Sequence, residues 1–123
     1  MRILKNSWFE KFARKQEIGD AALLDAVARA GRGLMDADLG GGVLKQRVAR
    51  EGEGKSGGYR TIILFSSGVR AVFVFGFAKS DRANLTAKET KTYKKAAALV
   101  LDLRDEQIEA EVVAGRLFEV RDD

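Results

Sequence analysis

The chain of 123 residues contains no cysteine, no histidine and no proline. Without cysteine there is no disulfide framework, no thiolate nucleophile and no Cys-type zinc site, which fits a reducing compartment. Without histidine the commonest general acid/base and the commonest metal ligand are both missing. Serine triads, papain-like sites and histidine-dependent ribonuclease chemistry are thereby excluded. A run of 18 apolar residues is also missing, as is a charged-then-apolar leader with a cleavage site. Neither a membrane span nor a secretory signal is indicated, and the cytoplasm is the expected location. The lack of proline leaves glycine to mark the turns, and 7 of the 13 glycines fall between positions 40 and 58.

What is present is enough for one compact core, with 46% hydrophobic and 33% charged residues, so a single domain over 1–123 is expected. The net charge is +4 and the pI about 9.5. Residues 102–123 hold 3 basic and 8 acidic groups, a net −5, which leaves 19 basic against 10 acidic, or +9, in residues 1–101. A basic body with an acidic end favours a polyanionic partner, nucleic acid ahead of anionic membrane.

The pattern predicts a first strand at Arg2 to Lys5, then a short helix over 7–16 with Trp8, Phe9 and Phe12 on one face. Asp20 is the expected N-cap of a second amphipathic helix carrying Leu23, Leu24, Val27 and Ala28, which exits at Gly31 and Gly33. A glycine break at 40–42 precedes a strand from Val43 to Arg50, where Leu44 and Val48 point one way and Lys45 and Arg47 the other. Residues 51–58 read as a loop. Tyr59 to Phe65 and Val69 to Phe77, rich in β-branched and aromatic residues, flank Ser66-Ser67-Gly68 as a hairpin. Thr86 and Glu89 fit a capping box opening a helix to about Leu103, with Tyr93, Ala97, Val100 and Leu101 facing the core. A further helix over Asp105 to Val113 ends at Gly115, and a short strand over Leu117 to Val120 closes the chain. The fold class is α+β: a strand and two helices, an antiparallel sheet, then C-terminal helices.

The polar chemistry concentrates in residues 43–60, with Lys45, Arg47, Arg50, Lys55 and Arg60 against Glu51 and Glu53. This cluster reads either as a charged, solvated sheet edge or as a phosphate-binding surface. Lys79, Asp81 and Arg82 follow the last hairpin strand, as a salt-bridged turn or as a second contribution to the same surface. Gly40 to Gly42 and Gly52 to Ser56 lack phosphate-loop spacing, and strands follow them, so nucleotide binding is not expected. Asp36 and Asp38 precede the glycine run; without histidine they read as turn-stabilising residues rather than metal ligands, and no metal or cofactor is expected. Trp8, Phe9 and the phenylalanines at 65, 73, 75 and 77 could stack bases, but their spacing is core spacing.

The run Asp38-Leu39-Gly40-Gly41-Gly42-Val43-Leu44-Lys45-Gln46-Arg47-Val48-Ala49, followed by Gly54-Lys55-Ser56-Gly57-Gly58-Tyr59-Arg60-Thr61-Ile62 and Gly76-Phe77-Ala78-Lys79-Ser80-Asp81-Arg82, resembles the RelE/HigB branch of bacterial type II toxins, specifically its HigB-like group. The resemblance covers nearly the whole chain. It implies a microbial RNase-like fold and an endoribonuclease, an mRNA interferase that cuts messenger RNA in the ribosomal A site and is held inactive by a cognate antitoxin. An antitoxin with a helix-turn-helix domain would carry the complex to promoter DNA.

In such enzymes the 2′-hydroxyl attacks the adjacent phosphate and basic residues stabilise the phosphorane. The positions matching that set here are Lys45, Arg47, Lys55, Arg60, Lys79 and Arg82. Arg60 and Arg82 are expected as bidentate phosphate clamps. Lys55 or Lys79 is expected to transfer the proton, since like-charge crowding and partial burial bring a lysine's pKa toward a useful value. Lys45, Arg47 and Arg50 are expected to position the RNA. Some relatives carry a tyrosine or histidine near the last strand or helix; here the nearby residue is Thr86. Two other readings stand beside this one: a ParE-like toxin that inhibits DNA gyrase without cutting RNA, and a non-catalytic nucleic-acid-binding module.

Overall fold

A computed structural model describes residues 1–49 and 58–121. Arg50 and Lys55, both expected at the site, lie outside the described residues. The elements in chain order are β1 (Arg2–Asn6), α1 (Ser7–Lys15), α2 (Asp20–Gly31), β2 (Ala37–Gly40), β3 (Val43–Val48), β4 (Tyr59–Ser66), β5 (Arg70–Ala78), α3 (Ala87–Val100), α4 (Asp105–Val113) and β6 (Leu117–Glu119). The strands form one sheet in the order β2-β3-β4-β5-β1-β6. The α+β class is as expected.

The hairpin lies where the pattern puts it, with Tyr59 opposite Ala78 and Ser66 opposite Arg70. Its turn closes through the Val69 N–H on the Ser66 carbonyl at 3.0 Å. The sheet differs from a wholly antiparallel one in β1, which runs parallel to β5, Arg2 to Lys5 alongside Arg70 to Phe73. A parallel neighbour requires a long crossover, and a five-residue strand carries no local signal of which distant strand it will meet. The glycine break is itself a hairpin turn, with Gly40, Gly41 and Gly42 all at positive φ, and it adds β2 beside β3.

Alternation along the strands builds two cores on opposite faces of the sheet. On one, Phe9 and Ala13 of α1 and Leu23, Ala26 and Val27 of α2 pack against Leu44, Ile63 and Phe73. On the other, Ala97 of α3 and Ile108 of α4 pack against Val43, Ile62, Leu64 and Val72. This second face is covered by helix only in part, and the candidate site side chains occupy the rest.

Three helix ends orient the chain around that opening. Asn6 caps α1 by accepting from the Phe9 N–H at 2.8 Å, while its amide donates to the Val74 carbonyl at 3.1 Å. The N-cap of α2 is Gly19, not Asp20. Asp20 is drawn one position into the helix because its carboxylate accepts from the Arg121 N–H at 2.9 Å and pairs with Lys5 at 3.4 Å. The Thr86–Glu89 capping box of α3 is present, with bonds of 3.1 and 2.8 Å. That helix stops at Val100 rather than near Leu103, because buried Arg70 of β5 donates to the Val100 and Leu103 carbonyls at 2.9 and 2.8 Å.

Gly42 has φ +83°, and a Cβ there would come within 2.7 Å of Leu101 Cδ1. Gly42→Ala therefore combines backbone strain with overpacking and is expected to lower stability by about 1–3 kcal/mol. Gly31→Ala, where nothing lies within 4 Å, should leave stability unchanged or slightly raised. Urea denaturation of the two variants checks the contrast.

Candidate nucleic-acid interface

Pairing registers place the site. Arg47 lies opposite Arg60, and Arg60 opposite Phe77, so these three side chains form one row across β3, β4 and β5 on the same face. The next row is Lys45, Ile62 and Phe75. Both rows sit at the end of the sheet where β3 stops, β4 starts and β5 stops. The alternation read along Val43 to Val48 thus does put Lys45 and Arg47 on one face.

Asp36, immediately before β2, projects into this crowd. Its Oδ1 faces Arg47 Nε at 3.3 Å, and its Oδ2 faces Lys45 Nζ at 3.4 Å and Arg60 Nε at 3.5 Å. Burial pushes its carboxyl up, but the three cations, Lys45 foremost, outweigh burial and hold it below its ordinary value. The turn-stabilising role expected for Asp36 is therefore corrected: it is the shared counter-ion of three cations. Asp38 does stabilise the turn, accepting from the Gly40 N–H at 2.9 Å. Among the described residues no three carboxylates gather as a metal site would require.

Arg60 is 4% exposed, and its Nη1 is buried with no hydrogen-bond partner among the described residues. That nitrogen keeps an unspent donor.

The segment after β5 converges on the same rows. Arg82 lies over the Phe77 and Phe75 rings, its guanidinium carbon 5.2 and 5.7 Å from their centroids. Its Nη1 donates to Glu89 at 3.2 Å, its Nη2 pairs with the same carboxylate, and its Nε donates to the Asn84 carbonyl at 3.2 Å. Asn84 in turn accepts from Lys45 Nζ at 3.1 Å, tying this loop to β3 across 39 residues. Lys79 is exposed, and its backbone N–H donates to the Gly58 carbonyl at 3.4 Å. The partial burial expected of it is not found. Tyr93 of α3 stacks on Phe75 with centroids 6.0 Å apart, and burial first, then Glu89, pushes its hydroxyl up, keeping it protonated.

Of the expected set, then, Lys45, Arg47, Arg60 and Arg82 meet on one face, and Lys79 stands at its rim. Asp36, Asn84 and Glu89 belong to the site and were not read as such. For Asp36 the signal was available: three glycines between two short apolar runs make a hairpin, which sets Ala37 opposite Lys45. Trp8 is a further correction. It is 43% exposed rather than core, because Phe9 takes the inward position of α1.

The family description "RelE toxin of RelE / RelB toxin-antitoxin system" matches residues 1–120. The chain belongs to the RelE toxin family. No curated protein matches it. As a RelE-family toxin it is one half of a toxin–antitoxin pair, and an antitoxin is its partner. No helix among the described residues of this RelE toxin is long and apolar enough to cross a membrane.

The Arg82 guanidinium and then the Thr86 N–H bring the Glu89 carboxyl from 4.5 down to about 2. A depressed carboxyl contributes stability that is full above its ordinary value and is lost as pH falls through the folded value. Glu89→Gln keeps the capping geometry but has no charge to lose. Its stability is expected to fall less steeply than that of the parent between pH 4.5 and about 2, measured by denaturant titration at a series of pH values; parallel pH curves would contradict this assignment.

Proposed function

We propose that this toxin is a metal-independent endoribonuclease of the HigB-like branch, acting in the cytoplasm on messenger RNA in the ribosomal A site. Its cognate antitoxin, carrying a helix-turn-helix domain, neutralises it and takes the complex to promoter DNA. The observation that carries the reading is the row of Arg47, Arg60 and Phe77 with the unpartnered Nη1 of Arg60 within it. A buried guanidinium donor without a partner costs roughly 1–3 kcal/mol. A non-bridging phosphate oxygen of bound RNA would satisfy it.

The chemistry asks little of the protein beyond charge and position. The 2′-oxygen bonds to the adjacent phosphorus, the P–O5′ bond breaks, the 2′-hydroxyl proton goes to a base and the leaving 5′-oxygen gains a proton. Negative charge builds on the phosphorane oxygens, where Arg60 and Arg82 act as clamps. Arg82 engages by exchanging Glu89 for phosphate, keeping its plane against Phe75 and Phe77. Lys45 and Arg47 hold the flanking backbone together with Arg50. Proton transfer falls to Lys55 or Lys79, with no histidine in the chain to share it.

Arg60→Ala should relieve growth arrest and lower cleavage about 100-fold or more, read by mapping messenger 5′ ends after tightly controlled expression. Arg60→Lys, which keeps the charge and loses the fork, should recover only part. Growth arrest with no new 5′ ends, together with inhibited gyrase supercoiling, would put the protein with the gyrase-directed toxins instead. Arg47→Ala should weaken RNA binding evenly across sequences and reduce the salt dependence of binding by about one counterion, measured as log Kd against log salt.

A further inference from the structure

We propose that Trp8 is a stacking subsite for a nucleobase of single-stranded RNA next to the scissile position, with Lys11 and Lys15 beside it for the backbone phosphates. This rests on the ribonuclease reading and extends its binding surface to the far edge of β5.

Trp8 is the sole tryptophan of the chain, and it is left 43% exposed at a position where burial would have been favourable. The ring is nevertheless fixed. It stacks on Phe12 at 5.2 Å and 17° and leans on Phe75 at 4.7 Å and 37°. An indole held between two ring contacts and still 43% exposed has little left to order when a base is added to its exposed part.

Topology explains why it stands there. β1 pairs with β5 only as far as Phe73, so among the described residues the β1-side edge of β5 from Val74 to Ala78 has no strand beside it. The Asn6 cap turns the chain into α1 at that point, and Trp8 comes to rest over the uncovered edge, against Phe75.

From Phe75 the ring contacts continue to buried Phe77 beneath Arg82. Phe77 is 6.1 Å from Phe75, and Arg82 lies over both rings. On its other side Trp8 borders a cleft of about 280 Å³ lined by Lys11, Phe12, Lys15 and Gln16, whose charged residues are both lysines. Aromatic rings that take splayed bases, flanked by cations that take phosphates, are the usual means of holding single-stranded RNA. The positive lining and the continuity with the Arg82 row favour RNA over a peptide.

The single tryptophan makes the test direct. The intact toxin is titrated with an end-labelled 2′-O-methyl adenosine hexanucleotide, which lacks the attacking hydroxyl, and with an abasic sugar-phosphate strand of the same length. Binding is followed by anisotropy of the label, and stacking by Trp8 fluorescence. The base-bearing strand is expected to quench Trp8 in step with binding, while the abasic strand binds without quenching. Trp8→Ala should weaken the base-bearing strand about tenfold and bring it close to the abasic one, and Trp8→Phe should restore most of the difference.

Circular dichroism of Trp8→Phe checks the fold independently of Trp8→Ala. Binding that leaves Trp8 fluorescence and the Trp8→Ala affinity unchanged would overturn the subsite while leaving the ribonuclease reading intact. Failure of both strands to bind, with no new messenger ends in cells, would remove both. Quenching by the antitoxin with none by either strand would make the ring a protein contact and overturn the subsite.

Discussion

Two arginines held face to face set the terms for this molecule. The register that pairs β3 with β4 puts Arg47 directly opposite Arg60, with Lys45 one row away on the same face. Like charges at opposed positions destabilise a sheet, so the arrangement requires a counter-charge at that spot. Asp36 supplies it, one oxygen toward Arg47 and the other toward Lys45 and Arg60. Asp36 reaches this position because the turn at Gly40 to Gly42 folds β2 back along β3, and that turn packs against Lys94 and Leu101 around α3. The three glycines therefore belong to the electrostatics of the site as much as to the backbone.

The second carboxylate works in the same way. Glu89 holds Arg82 and also closes the capping box of α3 on Thr86. One side chain thus links the start of a helix to a cation of the candidate site. Both carboxylates keep the cations ordered, and both occupy donors that a phosphate would use. Such a site is preorganised at the expense of direct competition with its ligand. The exception is the buried Nη1 of Arg60, which neither carboxylate satisfies.

Local signals in the sequence were sufficient for the elements that depend on local signals. The β4–β5 hairpin, the Thr86–Glu89 box and the alternation along β3 are each decided within a few residues, and each is found where the pattern predicts. The parallel placement of β1 depends on a strand 68 positions away, as Arg2 against Arg70 makes plain. The role of Asp36 depends on recognising the glycine break as a hairpin. Trp8 and Phe9 are neighbours with equal apolar character; only the docking angle of α1 decides that Phe9 is fully buried and Trp8 is not.

Arg60 and Arg70 make the same point on chemistry. They lie on adjacent strands, 4% and 2% exposed, and each has one buried nitrogen without a partner. Burial and an orphaned donor therefore do not by themselves mark a binding residue. The difference is in the rest of the fork. Arg70 gives Nη1 to the Val100 and Leu103 carbonyls and Nη2 to Asp105, so its charge is committed to ending α3 and starting α4. Among the described residues the acidic group facing Arg60 is Asp36, at 3.5 Å, a contact too long for a good hydrogen bond. Its charge is balanced while its donors stay largely unspent, and it stands beside Arg47 and Phe77 on the part of the sheet that no helix covers. Of two equally buried arginines, Arg60 is the one whose described neighbours balance its charge without taking up its fork, which is what the proposed phosphate clamp needs.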